Sequence, residues 1–273
     1  MGSLSMSLLP FTGEGGAQRR MRAAAALSCG MIRTPGLAAI LLVFCAAGCA
    51  RPSMTNDPFT SPNLAPLADA VARGDAAEIR RLVAHTPPDT PGEHGATLLV
   101  AAIGAGNLVG AQTLLDNGAD PNRPGGGGET PVHAAAFAAD PALLQAVLAH
   151  GGDPNVRNPV TGGTALTRAI LGQHPAQIRM LLDAGADPNL ADRNEDAPLH
   201  TAARTNAGDT ILLLLDKGAS PLAKNSGGAT FQSYYFSFPR NVLNAEALSE
   251  RRRIVTWLKA HHVPLEAVVE ADY

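Results

Sequence analysis

The stretch Gly185-Ala186-Asp187-Pro188-Asn189 stands just past the apolar pair Leu181-Leu182 and reads as a helix stop. A glycine at this point takes the left-handed conformation that closes a helix, and Asp-Pro beside it opens a turn through which no helix continues. Close copies stand at Gly118 to Asn122 and at Gly151 to Asn155, with a worn copy at Gly218 to Leu222, so the glycines lie 33, 34 and 33 residues apart. A fixed period of this length means one supersecondary unit repeated, each copy leaning on the next.

Working outward from the stops, each unit predicts two helices. The first helices open at Ala65-Pro66-Leu67-Ala68, Thr97-Leu98-Leu99-Val100, Thr130-Pro131-Val132-His133, Thr164-Ala165-Leu166-Thr167 and Ala197-Pro198-Leu199-His200. Threonine caps the first turn, and proline fits just inside it, where its missing N–H is not needed. Small residues follow, as at Ala134-Ala135-Ala136 and Ala202-Ala203, and let neighbouring helices approach closely. The second helices carry the apolar pairs Leu82-Val83, Leu114-Leu115, Val147-Leu148, Leu181-Leu182 and Leu214-Leu215. No unit buries enough to stand alone, so the units fold as an array.

These motifs resemble those of ankyrin repeats: Thr-Pro-Leu-His opening the first helix, Leu-Leu closing the second, then Gly-Ala-Asp and Asn entering a hairpin-like finger. Thr130, Pro131, His133, Gly151, Asp153 and Asn155 match in the third unit, and Pro198, Leu199, His200, Leu214, Leu215 and Gly218 in the fifth. The resemblance covers about Ala65 to Leu265. It implies an all-α ankyrin-repeat solenoid of about six repeats, the last a degenerate C-terminal cap. The second and fourth units lack Pro and His, and the first lacks the closing Gly.

The last unit departs most. Gly228-Ala229-Thr230 starts on schedule, but the apolar pair arrives late, at Trp257-Leu258. The extra chain, 233–250, is aromatic-rich: Phe231, Tyr234, Tyr235, Phe236 and Phe238 are five of the nine aromatics after Cys49. Tyr and Phe are enriched at binding hot spots, yet a terminal repeat must also cover its exposed core, and the sequence leaves both roles open. Phe231 and Trp257 are assigned to the core, and Tyr234, Tyr235 and Phe238 to surface contact.

Residues 1–48 form a signal region. Met31-Ile32-Arg33, the apolar run Leu37 to Ala47 and then Gly48-Cys49 give a basic start, a short apolar core and small residues before a cleavage point. Met31 is expected to be the true start, with 1–30 upstream of it. The cysteine after Ala46-Ala47-Gly48 resembles the lipobox of bacterial lipoproteins, although Ala46 replaces the usual leucine. That resemblance implies lipidation of Cys49, an anchor in the membrane, and a domain facing the periplasm. A cytoplasmic protein with a miscalled apolar start is the alternative. Residues 49–64, rich in Pro, Ser, Thr and Asn, read as a flexible tether ahead of the repeat domain at 65–273.

The composition is 45% hydrophobic and 16% charged, with a formal net charge of −3, which provides no basic footprint for nucleic acid. The three cysteines, Cys29, Cys45 and Cys49, all precede the repeats, so neither a disulfide scaffold nor a zinc site is expected there. Gly125 to Gly128 lacks the Lys-Ser/Thr of a phosphate loop, and no serine-hydrolase or zinc-protease motif is present. His133 and His200 occupy the family's structural histidine position. Asp120, Asp153 and Asp187 recur with the period and read as turn formers, and His261-His262 as an exposed helix end. No catalytic residue, metal site or cofactor is expected.

The resemblance instead implies protein binding through the finger loops and first helices. The finger tips offer Arg123, Arg157, Arg193, Asp192 and Glu195 as contact residues beside Tyr234, Tyr235 and Phe238. The expected function is that of a non-enzymatic envelope lipoprotein that binds and occludes a partner protein, for example in immunity to a secreted toxin or support of a periplasmic enzyme. An envelope scaffold with several weak partners, or less favourably an enzyme built on the insertion, are the rivals.

Overall fold

The structure is a computed structural model that describes residues 57–273. The signal region, Cys49 and tether residues 49–56 lie outside the described residues. Six helix pairs follow one another: α1 (Ala65–Arg73) with α2 (Ala76–Val83), α3 (Leu98–Gly104) with α4 (Leu108–Asp116), α5 (Pro131–Phe137) with α6 (Pro141–Ala149), α7 (Ala165–Leu171) with α8 (Pro175–Asp183), α9 (Pro198–Arg204) with α10 (Gly208–Asp216), and α11 (Phe231–Tyr235) with α12 (Ala245–Ala260). A single turn, α13 (Ala267–Glu270), comes last. Among the described residues there is no strand, only an isolated bridge between Arg157 and Thr164 at the base of one finger.

The local chemistry is as expected. Thr97, Thr130 and Thr164 each accept the N–H three residues on and cap α3, α5 and α7, while Pro131 and Pro198 occupy first-turn positions. Gly118, Gly151, Gly185 and Gly218 all have φ between 87° and 91°. A Cβ at any of them would meet nothing within 4 Å, so glycine is required there by backbone conformation alone. In each stop two N–H groups return to the helix: Gly185 N–H donates to the Leu182 carbonyl at 3.1 Å and Ala186 N–H to Leu181 at 2.9 Å, satisfying carbonyls the helix leaves open.

The first helices pack in sequence, α3 on α5, α5 on α7, α7 on α9 and α9 on α11, and form an inner layer. The second helices form an outer one. Leu114, Leu115, Val147, Leu181, Leu182, Leu214 and Leu215 are buried between the layers. Leu82 and Val83 are only partly buried, and Ile79 is the fully covered residue of α2. The reason is position: α2 has a neighbour on one side only.

The fingers are joined by asparagine rungs. Asn155 Nδ2 donates to the Gly185 carbonyl at 3.0 Å, and its Oδ1 accepts the Asp187 N–H at 2.8 Å. Asn122 does the same to Gly151 and Asp153, and Asn189 to Gly218 and Ser220. In the first finger Asp89 replaces the asparagine and accepts the Asp120 N–H. Asp120, Asp153 and Asp187 each accept the N–H two residues on, which makes them the turn formers the repeat pattern indicated.

Both ends are covered. Residues 57–64, assigned from sequence to the tether, instead pack on the first repeat. Phe59 is 7% exposed and Leu64 fully buried, and the Pro58 carbonyl accepts the Glu93 N–H at 2.7 Å. Two apolar side chains in a polar stretch are enough to hold it, Phe59 beside Gly92 of the first finger and Leu64 as the cap residue of α1.

At the other end α11 and its cap residue Phe236 form a lid on the core, while 237–246 of the insertion lie largely exposed. Phe231, Tyr235 and Phe236 are buried, with Tyr235 and Phe236 in edge contact at 5.2 Å and Phe236 against Tyr273 at 5.7 Å. Arg251, 1% exposed, lies over the Tyr235 and Phe236 rings and donates to the Phe238 carbonyl at 2.7 Å and the Tyr235 carbonyl at 2.6 Å. The surface role assigned to Tyr235 is therefore corrected: α11 turns its ring inward, where its hydroxyl donates to Glu250 at 3.4 Å. Trp257 is corrected the other way. It is half-buried, stacks on His261 at 3.8 Å, and its indole N–H donates to Asp216 at 2.7 Å, because α12 sits in the outer layer with no seventh pair to cover it.

Two outcomes follow. Asn155→Ala removes two bonds between the third and fourth repeats and should lower unfolding free energy by about 1–2 kcal/mol in urea melts. Arg251→Met should leave two carbonyls unpaired, speeding amide exchange and proteolysis at 236–244 while residues 98–216 keep their protection. Uniform loss of protection would contradict a local lid.

Candidate functional site

The first helices and fingers line one concave face, and its two halves differ chemically. Register explains why. Counting from the cap residues of α3 and α7, the fourth and seventh positions are open to the groove: in α3 they are Ala101 and Gly104, and Ala68 and Ala72 of α1 continue the same small-residue floor. Large side chains enter this face in the later repeats: Phe137 at the seventh position of α5, beyond Ala134 at the fourth, Arg168 and Leu171 in α7, Arg204 at the seventh position of α9, whose fourth, Thr201, is buried, and Tyr234 at the fourth of α11.

Phe137 and Leu171 are 46% and 49% exposed, unusual for large apolar side chains on successive helices. The Arg168 guanidinium lies 4.6 Å above the Phe137 ring and donates to Glu129 at 2.7 Å. Arg204 repeats the arrangement, 5.5 Å over the Tyr234 ring and 2.7 Å from Asp196. A planar cation held between a carboxylate and an aromatic face is fixed before any partner arrives. A hollow of about 400 Å³ opens between the fingers, lined by Glu129, His133, Thr167, Arg168, Leu171 and Asp192 among others.

Beneath the groove, the polar groups are satisfied. Burial pushes the Asp196 carboxyl up, but the Asn225 amide and the Arg204 guanidinium outweigh it and hold it below the usual carboxylate value. Asn225 Nδ2 bridges Asp196, at 3.0 Å, and the Tyr234 hydroxyl, at 2.8 Å. His200 meets the Tyr234 ring edge-on at 6.4 Å, its Nε2 donates to the Ala229 carbonyl, and its Nδ1 accepts the Ala197 N–H at 3.1 Å. His133 is built alike: Nδ1 pairs with the Thr130 hydroxyl at 2.8 Å and Nε2 with the Gly163 carbonyl at 3.0 Å. Burial pushes the His133 pKa down. Both histidines are structural, as their sequence position indicated. Among the described residues, no group of three or more His, Cys, Asp or Glu is placed to hold a metal ion.

The residues assigned to contact meet different fates. Arg123, Glu195 and Phe238 are exposed, Phe238 by 61%. Arg157 and Arg193 are exposed but brace the fingers, donating to the Ala191 and Pro159 carbonyls respectively. Asp192 accepts the Asn194 and Asp196 N–H groups and shapes its own turn. Tyr234 lies in the groove and Tyr235 in the core. Sequence reasoning missed Phe137, Arg168, Leu171 and Arg204. Their signal was the register of the first helices, where large side chains replace the alanine and glycine of the early repeats.

The fold is an ankyrin-repeat solenoid, and this class of protein presents such a groove as a binding scaffold. Residues 98–148 and 128–225 match models described as ankyrin repeats, of many and of three copies respectively. Similar solved structures include the ankyrin repeat domain of Bcl-3, at 26% identity and TM-score 0.61 over 70% of this chain and 85% of that one. Another is the ankyrin repeat protein EF0377, at 24% identity and TM-score 0.60 over 70% of this chain and 96% of that one.

Among curated relatives, protein PhlB of Serratia liquefaciens is 38% identical over 149 residues, 55% of this chain and 66% of that protein. Ankyrin repeat and SOCS box protein 16 of Mus musculus is 44% identical over 77 residues, 25% of this chain and only 17% of that protein.

His133 sets a pH dependence. Its folded pKa lies below the ordinary 6.5, so the unfolded chain takes up the proton first. The stabilisation is fully present above about pH 6.5 and falls as the pH drops through that value. The stability advantage of the native chain over His133→Gln should shrink between pH 7 and pH 5 in matched urea melts; an advantage that grew on acidification would contradict the neutral, doubly bonded ring.

Proposed function

We propose that this protein is a lipid-anchored, non-enzymatic ankyrin protein of a bacterial envelope that seats one partner protein in the groove of its third to sixth repeats and thereby covers the partner's working surface. The observation that carries this reading is the exposure of Phe137 and Leu171 at the same position of two neighbouring first helices, with Arg168 over the Phe137 ring and the Arg204–Tyr234 pair on the next two. Arg and Tyr concentrate at binding hot spots, and apolar side chains at the centre of an interface contribute once water is excluded. The braced fingers favour occlusion, because a rigid groove loses little conformational freedom on binding.

The envelope assignment rests on the sequence Ala46-Ala47-Gly48-Cys49, and the similarity to a bacterial protein, PhlB, accords with it. Among the described residues no helix is long and apolar enough to cross a membrane, so attachment would depend on the acylated cysteine.

The test is in-cell crosslinking of the full chain, compared with a Phe137→Ser, Leu171→Ser double variant whose melting is unchanged. One dominant crosslinked protein, reduced at least about tenfold in the variant, is the expected result. An unchanged crosslinking pattern would remove the groove from consideration, and incorporation of labelled palmitate that survives Cys49→Ser would remove the anchor.

A further inference from the structure

The tips of the second to fifth fingers carry one cation each: Arg123, Arg157, Arg193 and Lys224, all exposed. Opposing them at the tips are Asp192, committed to its own turn, and Glu195. The groove wall below is internally neutralised, since Arg168 pairs with Glu129 and Arg204 with Asp196. The edge therefore keeps a surplus of positive charge on a chain whose net charge is −3.

This edge is also continuous and fixed. Arg193 N–H donates to the Thr161 carbonyl at 3.1 Å, Ser226 N–H to the Asn194 carbonyl at 3.0 Å, and Asn158 Nδ2 to the Gly127 carbonyl at 3.3 Å, so each tip is bonded to the next. The side chains of Arg157 and Arg193 add two more links. The four cations do not share one position in their fingers: counted from each stop glycine they stand five, six, eight and six residues on. Arg157 reaches forward to the fourth finger and Arg193 back to the third, so the charge forms a band along the tips rather than an evenly spaced row.

We infer that the finger tips and the groove together receive an extended acidic segment of the partner protein, with Asp or Glu side chains along Arg123, Arg157, Arg193 and Lys224 and an apolar side chain set against Phe137 and Leu171. The inference rests on the groove-binding reading above and names what the groove accepts. Charge complementarity at such a rim sets partner choice and association rate, and makes both sensitive to salt. The apolar step at Phe137 and Leu171 favours a protein segment over a nucleic acid, whose backbone offers phosphates but no aliphatic side chain to set against it.

The experiment pans a random linear-peptide display library on the full chain at physiological salt. Peptides retained by the native chain should be enriched in Asp and Glu beside a large apolar residue. Synthetic versions should bind an Arg123→Glu, Lys224→Glu variant at least about tenfold more weakly, with a flatter salt dependence. Those two positions are chosen because Arg157 and Arg193 brace neighbouring fingers.

Retained peptides that lack acids, or that bind the charge-reversed variant equally well, overturn the inference. If these same peptides are lost on Phe137→Ser, Leu171→Ser, the groove reading survives its failure. Peptides insensitive to both variants overturn the two together. A single-stranded oligonucleotide that binds more tightly than the selected peptides overturns the acidic-segment assignment and assigns the edge to nucleic acid.

Discussion

A helix pair such as α7 and α8 has apolar side chains on faces it cannot cover by itself. Ile170 and Leu181 are buried only because α5 lies on one side of α7 and α9 on the other. Everything else in the molecule answers that constraint. Alanines at Ala135, Ala136, Ala169, Ala202 and Ala203 let the first helices close up, and each asparagine rung ties one finger to the next at the distance the helices impose. The rungs satisfy backbone groups that the sharp helix stops leave open, so the same short motif ends one repeat and joins it to its neighbour.

An array built this way must stop somewhere, and each end solves the problem differently. At the start, Leu64 is buried as the cap residue of α1, and Phe59 packs beside the first finger at Gly92. At the finish, α12 lengthens to 16 residues, and three aromatic rings of α11 and its cap are buried, with Arg251 of α12 over two of them. A buried guanidinium is costly to desolvate, and here its charge is answered by two carbonyls and two ring faces. The lid and the groove share α11: Tyr235 faces the core while its neighbour Tyr234 faces Arg204. The end cap therefore positions one wall of the binding surface.

The groove is asymmetric because the repeats are not interchangeable copies. Small residues floor its first half, and large ones fill the same register in the second. Rigid aromatic and guanidinium groups therefore cluster in the third to sixth repeats, the half of the groove in which the proposed partner would sit.

The period of the Gly-Ala-Asp-Pro-Asn motif determined the fold by itself, since a helix stop recurring every 33 or 34 residues admits only a stacked array. The roles of Asp153, His133 and the paired leucines were equally legible, because each follows from local geometry that every repeat shares. Tertiary structure alone decided which way unshared residues face. Tyr234 and Tyr235 are adjacent and chemically alike, yet one lies in the groove and the other in the core, because rotation of α11 is set by its packing on α9. Phe137 and Leu171 read as core residues in any window of sequence. Only the stacking of the first helices, which leaves one face of each without a neighbour, turns them into the groove.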